Sequence, residues 1–266
     1  MAASAHSSGK ALSGRHAVVT GGGKGIGAAI AAELAGLGAS VSLLGRNLAR
    51  LEEVARRLTG EHGVECLPVE CDVTEPASIT RAFETVRQRA QDPAILINNA
   101  GEAQGAPFAE THPEMWNRML AVNLTAHYLC ARQVLAGMAS GRWGRIVNVA
   151  STAGLRGYAG TTAYSASKHG VVGFTRALAL ETAKVGVTVN AVCPGYTDTD
   201  IAESAAATIA SATGRTMEEA RERLRRTNPR GALITPEEVA NAVGWLCSPG
   251  AGAITGQAIV VAAGEI

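Results

Sequence analysis

The most constraining feature of this chain is a junction. The apolar run His16–Thr20 gives way at once to Thr20-Gly21-Gly22-Gly23-Lys24-Gly25-Ile26-Gly27 and then to an alanine-rich helical stretch. A buried strand, a glycine turn and a helix in that order open a β-α-β unit, whose parallel strands need helices over both faces. Glycines at such a turn let the backbone approach a pyrophosphate resting on the positive end of the helix, and Gly27 permits close packing there. Gly21, Gly23, Lys24, Gly25, Ile26 and Gly27 are therefore candidate dinucleotide contacts. A glycine turn alone is only a tight turn; the flanking strand and helix give it meaning.

The same alternation runs through the chain. His16–Thr20, Ser40–Leu44, Val64–Val69, Ala94–Asn98, Arg145–Ala150, Val187–Cys193 and Ala258–Val261 read as seven strands, most of them apolar at consecutive positions. Helical spacing occupies Ile26–Leu37, Leu48–Leu58, Ala77–Arg89, Pro113–Met138, Thr162–Lys184 and Pro236–Cys247. This pattern predicts a doubly wound α/β fold with a parallel seven-stranded sheet and ligands at the carboxyl ends of the strands. No period of 20–50 residues suggests a solenoid. Residues 13–266 are expected to form a single domain behind a flexible Ala/Ser-rich tail, 1–12. Between about 196 and 231 the chain makes an excursion, an Ala/Thr/Ser stretch and then a charged helix, much longer than an ordinary αβ connection. At the strand ends it is expected to form a substrate lid.

Composition narrows the partners. A net charge of +1 offers no global field for nucleic acid or an anionic membrane, and no apolar run reaches the length of a membrane span. Five scattered cysteines without a C-x-x-C pair read as reduced thiols in the cytoplasm. The histidines show no metal-ligand spacing, so no metal is expected. Small molecules are the expected partners.

The second strand ends Leu44-Gly45-Arg46-Asn47 without the acid that binds a ribose 2′-hydroxyl. Arg46, helped by Lys24, offers positive charge to a 2′-phosphate, which favours NADP over NAD; the alternative is a solvated arginine and a loop lysine. Asn47 belongs to the same candidate segment. Asp72 and Val73 stand where the adenine would lie, and Asn99, Ala100 and Gly101 where the ribose needs room, although each is also an ordinary turn residue.

Tyr164 and Lys168 are i and i+4 on one helix and share a face. A nearby ammonium favours a phenolate, so Lys168 is expected to lower the Tyr164 pKa. Ser151, at the end of the fifth strand, can hold a substrate oxygen beside that phenol. A phenol that donates a proton next to a bound nicotinamide makes a hydride-transfer site.

Thr20-Gly21-x-x-x-Gly25-x-Gly27, Asp72, Asn98-Asn99-Ala100-Gly101, Asn123, Ser151, Tyr164-x-x-x-Lys168 and Pro194-Gly195 together resemble the motif set of the short-chain dehydrogenase/reductase superfamily, across about Ser13 to Gly264. The resemblance implies a Rossmann-type fold, with Tyr164 as general acid/base, Lys168 tuning it and binding the nicotinamide ribose, Ser151 orienting the carbonyl, and Asn123 anchoring a proton relay. It also implies that Pro194, Gly195, Thr197 and Thr199 bind the carboxamide; for the threonines helix capping is the competing role. His169 is expected to face away from the site, and His127 to be packed at a helix interface. A homotetramer is implied too, through the 113–138 and 162–184 helices and the C-terminal helix and strand.

The segment from Tyr164 to Pro194 is similar to β-ketoacyl reductases of fatty acid and polyketide synthesis, which implies reduction of a 3-oxoacyl thioester on coenzyme A or a carrier protein. The arginines between Glu219 and Arg230 suit phosphates of such a carrier, or else form a solvated helix face with intrahelical pairs. Two other readings remain open at this stage: a dehydrogenase of a free cyclic or aromatic secondary alcohol, and a protein that binds a dinucleotide without catalysis.

Overall fold

A computed structural model describes residues 10–266. Along the chain run β1 (His16–Thr20), α1 (Gly25–Gly36), β2 (Ser40–Gly45), α2 (Leu48–His62), β3 (Cys66–Glu70), α3 (Pro76–Arg89) and β4 (Ile95–Asn98). Then come α4 (Pro113–Leu120), α5 (Ala126–Ser140), β5 (Gly144–Val149), α6 (Thr162–Thr182), β6 (Val187–Pro194), α7 (Asp200–Thr213), α8 (Met217–Arg225), α9 (Pro236–Cys247) and β7 (Ala258–Val261). The strands form one sheet in the order β3-β2-β1-β4-β5-β6-β7, and every pairing is parallel. Strand order reverses between β1 and β4, where Val18 stands beside both Ser42 and Leu96. That switch point opens a crevice at the carboxyl ends.

Consecutive strand residues are apolar because both faces are covered. Ala17, Val19, Val41, Leu43, Ile95 and Ile97 pack with α1, α2 and α9, while Val18, Leu44, Leu96 and Ile146 pack with α3, α5 and α6. Ile30 and Leu34 of α1 and Phe83 of α3 are fully buried in these two layers.

Several boundaries differ from expectation. The third strand begins at Cys66 rather than Val64 and runs to Glu70. Residues 1–9 of the expected tail lie outside the described residues, whereas Leu12 is fully buried and its N–H bonds to Leu37 O at 2.8 Å. The predicted helix over Pro113–Met138 is interrupted by a π turn at Ala121–Thr125. The excursion after β6 holds two helices, α7 and α8, rather than one. Its ends are tied together by a parallel bridge from Thr197 to Ile234.

Candidate active site

The turn after β1 is pinned from β4. Asn99 Nδ2 donates to Thr20 O at 2.9 Å and Gly21 O at 3.3 Å, while Thr20 Oγ1 accepts the N–H groups of Asn99 and Ala100, each at 3.0 Å. Gly21 takes φ +67°, in the left-handed region, and a Cβ on Gly27 would stand 2.2 Å from Gly21 O and 2.5 Å from Asn99 Nδ2. The bare backbone thus curls under the N-terminus of α1, and this cradle fits a dinucleotide pyrophosphate. Gly23 rests near Leu51, and Ile26 packs partly buried on the core.

Around the cradle, Arg46 is exposed, and its charge together with that of Arg118 reaches Asp72. Burial raises the Asp72 pKa, but two hydrogen bonds from Thr74 and those two arginines lower it overall. Val73 is buried in the hydrophobic core, and Asn47 caps α2 by accepting from Arg50 N–H at 3.1 Å. Lys24 points to the excursion rather than to the end of β2: its Nζ meets Asp200 Oδ2 at 2.5 Å. Beside it Thr199 Cγ2 would lie 3.1 Å from a Cβ on Gly25. Thr199 occupies the N-cap position of α7 without a side-chain capping bond; its Oγ1 donates to Thr197 O at 3.2 Å. Thr197 Oγ1 donates to Gly195 O at 3.1 Å. The start of the excursion is therefore closed over the glycine turn.

Farther along the crevice, β5 ends at Ser151, whose Oγ accepts from Ala153 N–H at 3.1 Å, and α6 delivers Tyr164 and Lys168. Lys168 is buried; its Nζ donates to Val149 O at 2.8 Å and stands 5.7 Å from the Tyr164 ring centroid. The expected pull of Lys168 on the phenol is opposed by burial. Burial pushes Tyr164 up to about 12, with Ser151 pulling the other way, and burial lowers Lys168 to about 8. The ammonium sits toward a carbonyl and the ring, so desolvation outweighs its attraction for a phenolate.

Asn123 is fully buried in the π turn. Its Nδ2 donates to Glu102 O at 2.9 Å and its Oδ1 accepts from Glu102 N–H at 3.2 Å. Gly101 fits between it and Lys168: a Cβ there would meet Asn123 Oδ1 at 2.7 Å and Lys168 Nζ at 3.7 Å. His127, one turn on, is buried, and burial first and the Lys168 charge second lower its pKa to about 3. His169 is exposed, with Nδ1 2.9 Å from Ser165 O.

A second set of residues borders the same end of the crevice. Tyr158 Oη bonds Glu265 Oε1 and lies 2.8 Å from Thr152 Oγ1. Arg156 donates to Glu265 Oε1 at 3.1 Å and Glu265 O at 3.3 Å, and stacks 4.6 Å from the Tyr158 ring centroid. The Glu265 side chain is 1% exposed, and its Oε2, without a hydrogen-bond partner among the described residues, would lie 2.7 Å from a Cβ on Gly195. Sequence reasoning missed this set, for which the one available signal was a lone acid after Val261-Ala262-Ala263-Gly264. Among the described residues no group of three His, Cys, Asp or Glu is disposed to hold a metal ion, and no helix is long and apolar enough to cross a membrane.

Comparison with known proteins agrees with this geometry. A protein of the granaticin polyketide synthase of Streptomyces violaceoruber, named for ketoacyl reduction, is 42% identical over 93% of this chain and 92% of its own length. The 3-oxoacyl-(acyl-carrier-protein) reductase of Aquifex aeolicus is 38% identical over 95% of this chain and 98% of its own. A crystal structure of an actinorhodin polyketide ketoreductase variant with NADPH matches with a TM-score of 0.91 and 41% identity, covering 94% of this chain and 97% of that one. The family profile described as short chain dehydrogenase spans residues 15–210. With its profile over most of the chain and such relatives over nearly all of it, the chain belongs to the short-chain dehydrogenase family.

Proposed function

We propose that this protein is an NADPH-dependent reductase of 3-oxoacyl thioesters, with Tyr164 as proton donor, Ser151 as orienter of the carbonyl, and Lys168 and Asn123 as the residues that hold the relay behind the phenol. The observation that carries the reading is the Ser151–Tyr164–Lys168 cluster at the crevice opened by the glycine cradle, together with the ketoacyl-reducing relatives. Gly21, Gly25 and Gly27 would hold the pyrophosphate, Arg46 the 2′-phosphate, Asp72 the adenine, and the Pro194–Thr199 segment the carboxamide. The bound dinucleotide supplies the hydride.

Reduction requires a phenol that still carries its proton. With Tyr164 held at about 12 the donor stays loaded at neutral pH, which favours the reductive direction. Lys168, lowered to about 8 and standing 5.7 Å from the Tyr164 ring centroid, is a group able to return that proton. Asn123 fixes the 101–102 backbone over Lys168 through its two bonds to Glu102. The 196–231 excursion, closed at the glycine turn, would act as the substrate lid.

Replacing Tyr164 by Phe is expected to lower kcat for acetoacetyl-CoA reduction by about 10²–10⁴-fold while NADPH binding stays within about twofold. Full turnover by that variant would end the assignment. A second reading, reduction of a free ketone, is favoured by the L-sorbose reductase of Gluconobacter frateurii, crystallised with NADPH and L-sorbose, which matches at 31% identity and a TM-score of 0.91 over 97% of this chain and 98% of that one. Turnover of free ketoses without any thioester turnover would select it.

The same proposal includes a homotetramer and a cytoplasmic location. Leu180 of α6 is 83% exposed and Tyr128 of α5, Trp245 of α9 and Val260 of β7 are exposed apolar groups on the faces expected to pair. The described cysteines are all free thiols, which suits a reducing compartment. Sedimentation at equilibrium would read the assembly directly.

A further inference from the structure

Glu265 lies beyond β7, outside every strand pairing. A glutamate in such a place is ordinarily solvated, yet this side chain is 1% exposed. Burying a carboxylate is costly unless its oxygens are answered. Two groups answer Oε1, the Tyr158 hydroxyl and, at 3.1 Å, the Arg156 guanidinium, which also donates to Glu265 O at 3.3 Å. Both the side chain and the backbone of Glu265 are thus tied to one stretch of chain, the loop between β5 and α6.

That loop joins the two hydroxyls of the site. It begins at Ser151 and runs into α6, which delivers Tyr164, and Tyr158 stands between them with bonds toward each. Burial first and the Glu265 hydrogen bond second push the Tyr158 pKa up, so the phenol keeps the hydrogen it gives to Glu265. One phenolic hydrogen serves one acceptor, which leaves the hydroxyl of buried Thr152, the residue after Ser151, to donate to Tyr158 Oη across 2.8 Å. Toward Tyr164, the Tyr158 carbonyl accepts from Thr161 Oγ1 at 2.9 Å, and Thr161 Oγ1 meets Ser165 Oγ at 2.9 Å, one residue past Tyr164. The guanidinium that holds Glu265 also covers the Tyr158 ring.

The other carboxyl oxygen faces the other side of the cleft. Oε2 has no hydrogen-bond partner among the described residues and fills the space that a side chain at 195 would need, 2.7 Å from a Cβ built on Gly195. Gly195 opens the segment expected to hold the nicotinamide carboxamide. One buried carboxyl group is therefore in contact with the loop of the proton donor and with the strand end beneath the hydride donor.

We propose that Glu265 is a positioning residue for the reduction, which through Tyr158 fixes the spacing between the Ser151–Tyr164 pair and the Gly195 segment. This role rests on the reading of Tyr164 as proton donor, which thioester and free-ketone reduction share. Hydride transfer depends steeply on approach, and a displacement of about 1 Å can lower a rate about 10²-fold. A carboxyl group bonded on one side and packed on the other restrains that displacement without entering the chemistry.

The test is single-turnover oxidation of NADPH by the full chain, with acetoacetyl-CoA and with a free ketose, which reads hydride transfer apart from product release. Glu265→Ala and Tyr158→Phe are each expected to slow it about 10–100-fold with the Kd for NADPH within about twofold, and the double variant should be no slower than the slower single one, since both remove the same bond. Glu265→Gln, which keeps an acceptor for the Tyr158 hydroxyl, should recover most of the rate. A merely structural role would lower the melting temperature and leave the rate of the folded protein unchanged. Tyr158→Phe removes one oxygen and keeps the ring, so an undiminished rate in that variant overturns the proposal even if Glu265→Ala fails to fold. Additive losses in the double variant, or Glu265→Gln no faster than Glu265→Ala, overturn it as well. If the wild type reduces the ketose alone, the thioester reading falls and the same comparisons on the ketose decide the role of Glu265; if it reduces neither, the two fall together.

Discussion

At the scale of single residues, Gly27 shows how little tolerance the nucleotide cradle has. A methyl group there would stand 2.2 Å from a carbonyl oxygen, a separation that backbone must move to relieve. Gly27→Ala is expected to cost about 1–3 kcal/mol of stability by overpacking and to weaken NADPH binding at least about tenfold. Thermal unfolding and a fluorescence titration would read both, and a variant that melts and binds like the wild type would show the turn to be slack. The glycine turn, the place of Ser151 after β5 and the shared helix of Tyr164 and Lys168 were legible in the sequence because placement of this kind depends on local spacing. Glu265 was not, because its partners Tyr158 and Arg156 lie 107 and 109 residues away along the chain. Nor was the acidity of Tyr164, since i,i+4 spacing reports which face two side chains share but not how much water either retains. What the sequence did not show at Asn99 is that its amide ties the turn after β1 to the end of β4.

Elements show a different pattern of success. Strands and covering helices were readable because burial on both faces leaves an apolar run that needs no tertiary information. Within the 113–138 helix the π turn was hidden, since it is set by the two bonds Asn123 makes to Glu102, 21 residues upstream. α7 was hidden for another reason: its Ala, Thr and Ser residues give little periodic contrast, and only Ala202 and Ala206 are buried. This helix begins at the Lys24–Asp200 contact, whose side chains are 60% and 72% exposed. Exposed pairs contribute little to stability, so Asp200→Asn should leave the melting temperature within about 2 °C. It should also free Lys24 for the nucleotide, tightening NADPH severalfold with NADH unchanged. Isothermal titration with both nucleotides checks this, and equal shifts for the two would show that Lys24 does not read the 2′-phosphate.

For the molecule as a whole, two buried imidazoles set the acid limit. His16 lies between Ser40 Oγ at 2.7 Å and Ser42 Oγ at 2.9 Å, and burial lowers its pKa to about 4; His127 falls to about 3. The unfolded chain takes up protons near 6.5 that the folded chain refuses until the pH is far lower. Their contribution is therefore full above pH 6.5 and is lost as the pH falls toward 4 and 3. Between pH 7 and 5 urea unfolding should register a loss of about 2 kcal/mol per imidazole, and His127→Leu should flatten the slope; a flat profile in the wild type would count against both burials. The exclusively parallel sheet has a consequence of its own in time rather than in energy. None of its pairings can zip up from a hairpin, so each must wait for a crossover helix, and β1 cannot gain its second neighbour until Ile95 has left the ribosome. Nascent chains will expose sticky strands for longer than a meander of equal size, and refolding from denaturant should be slow and should favour dilute solution.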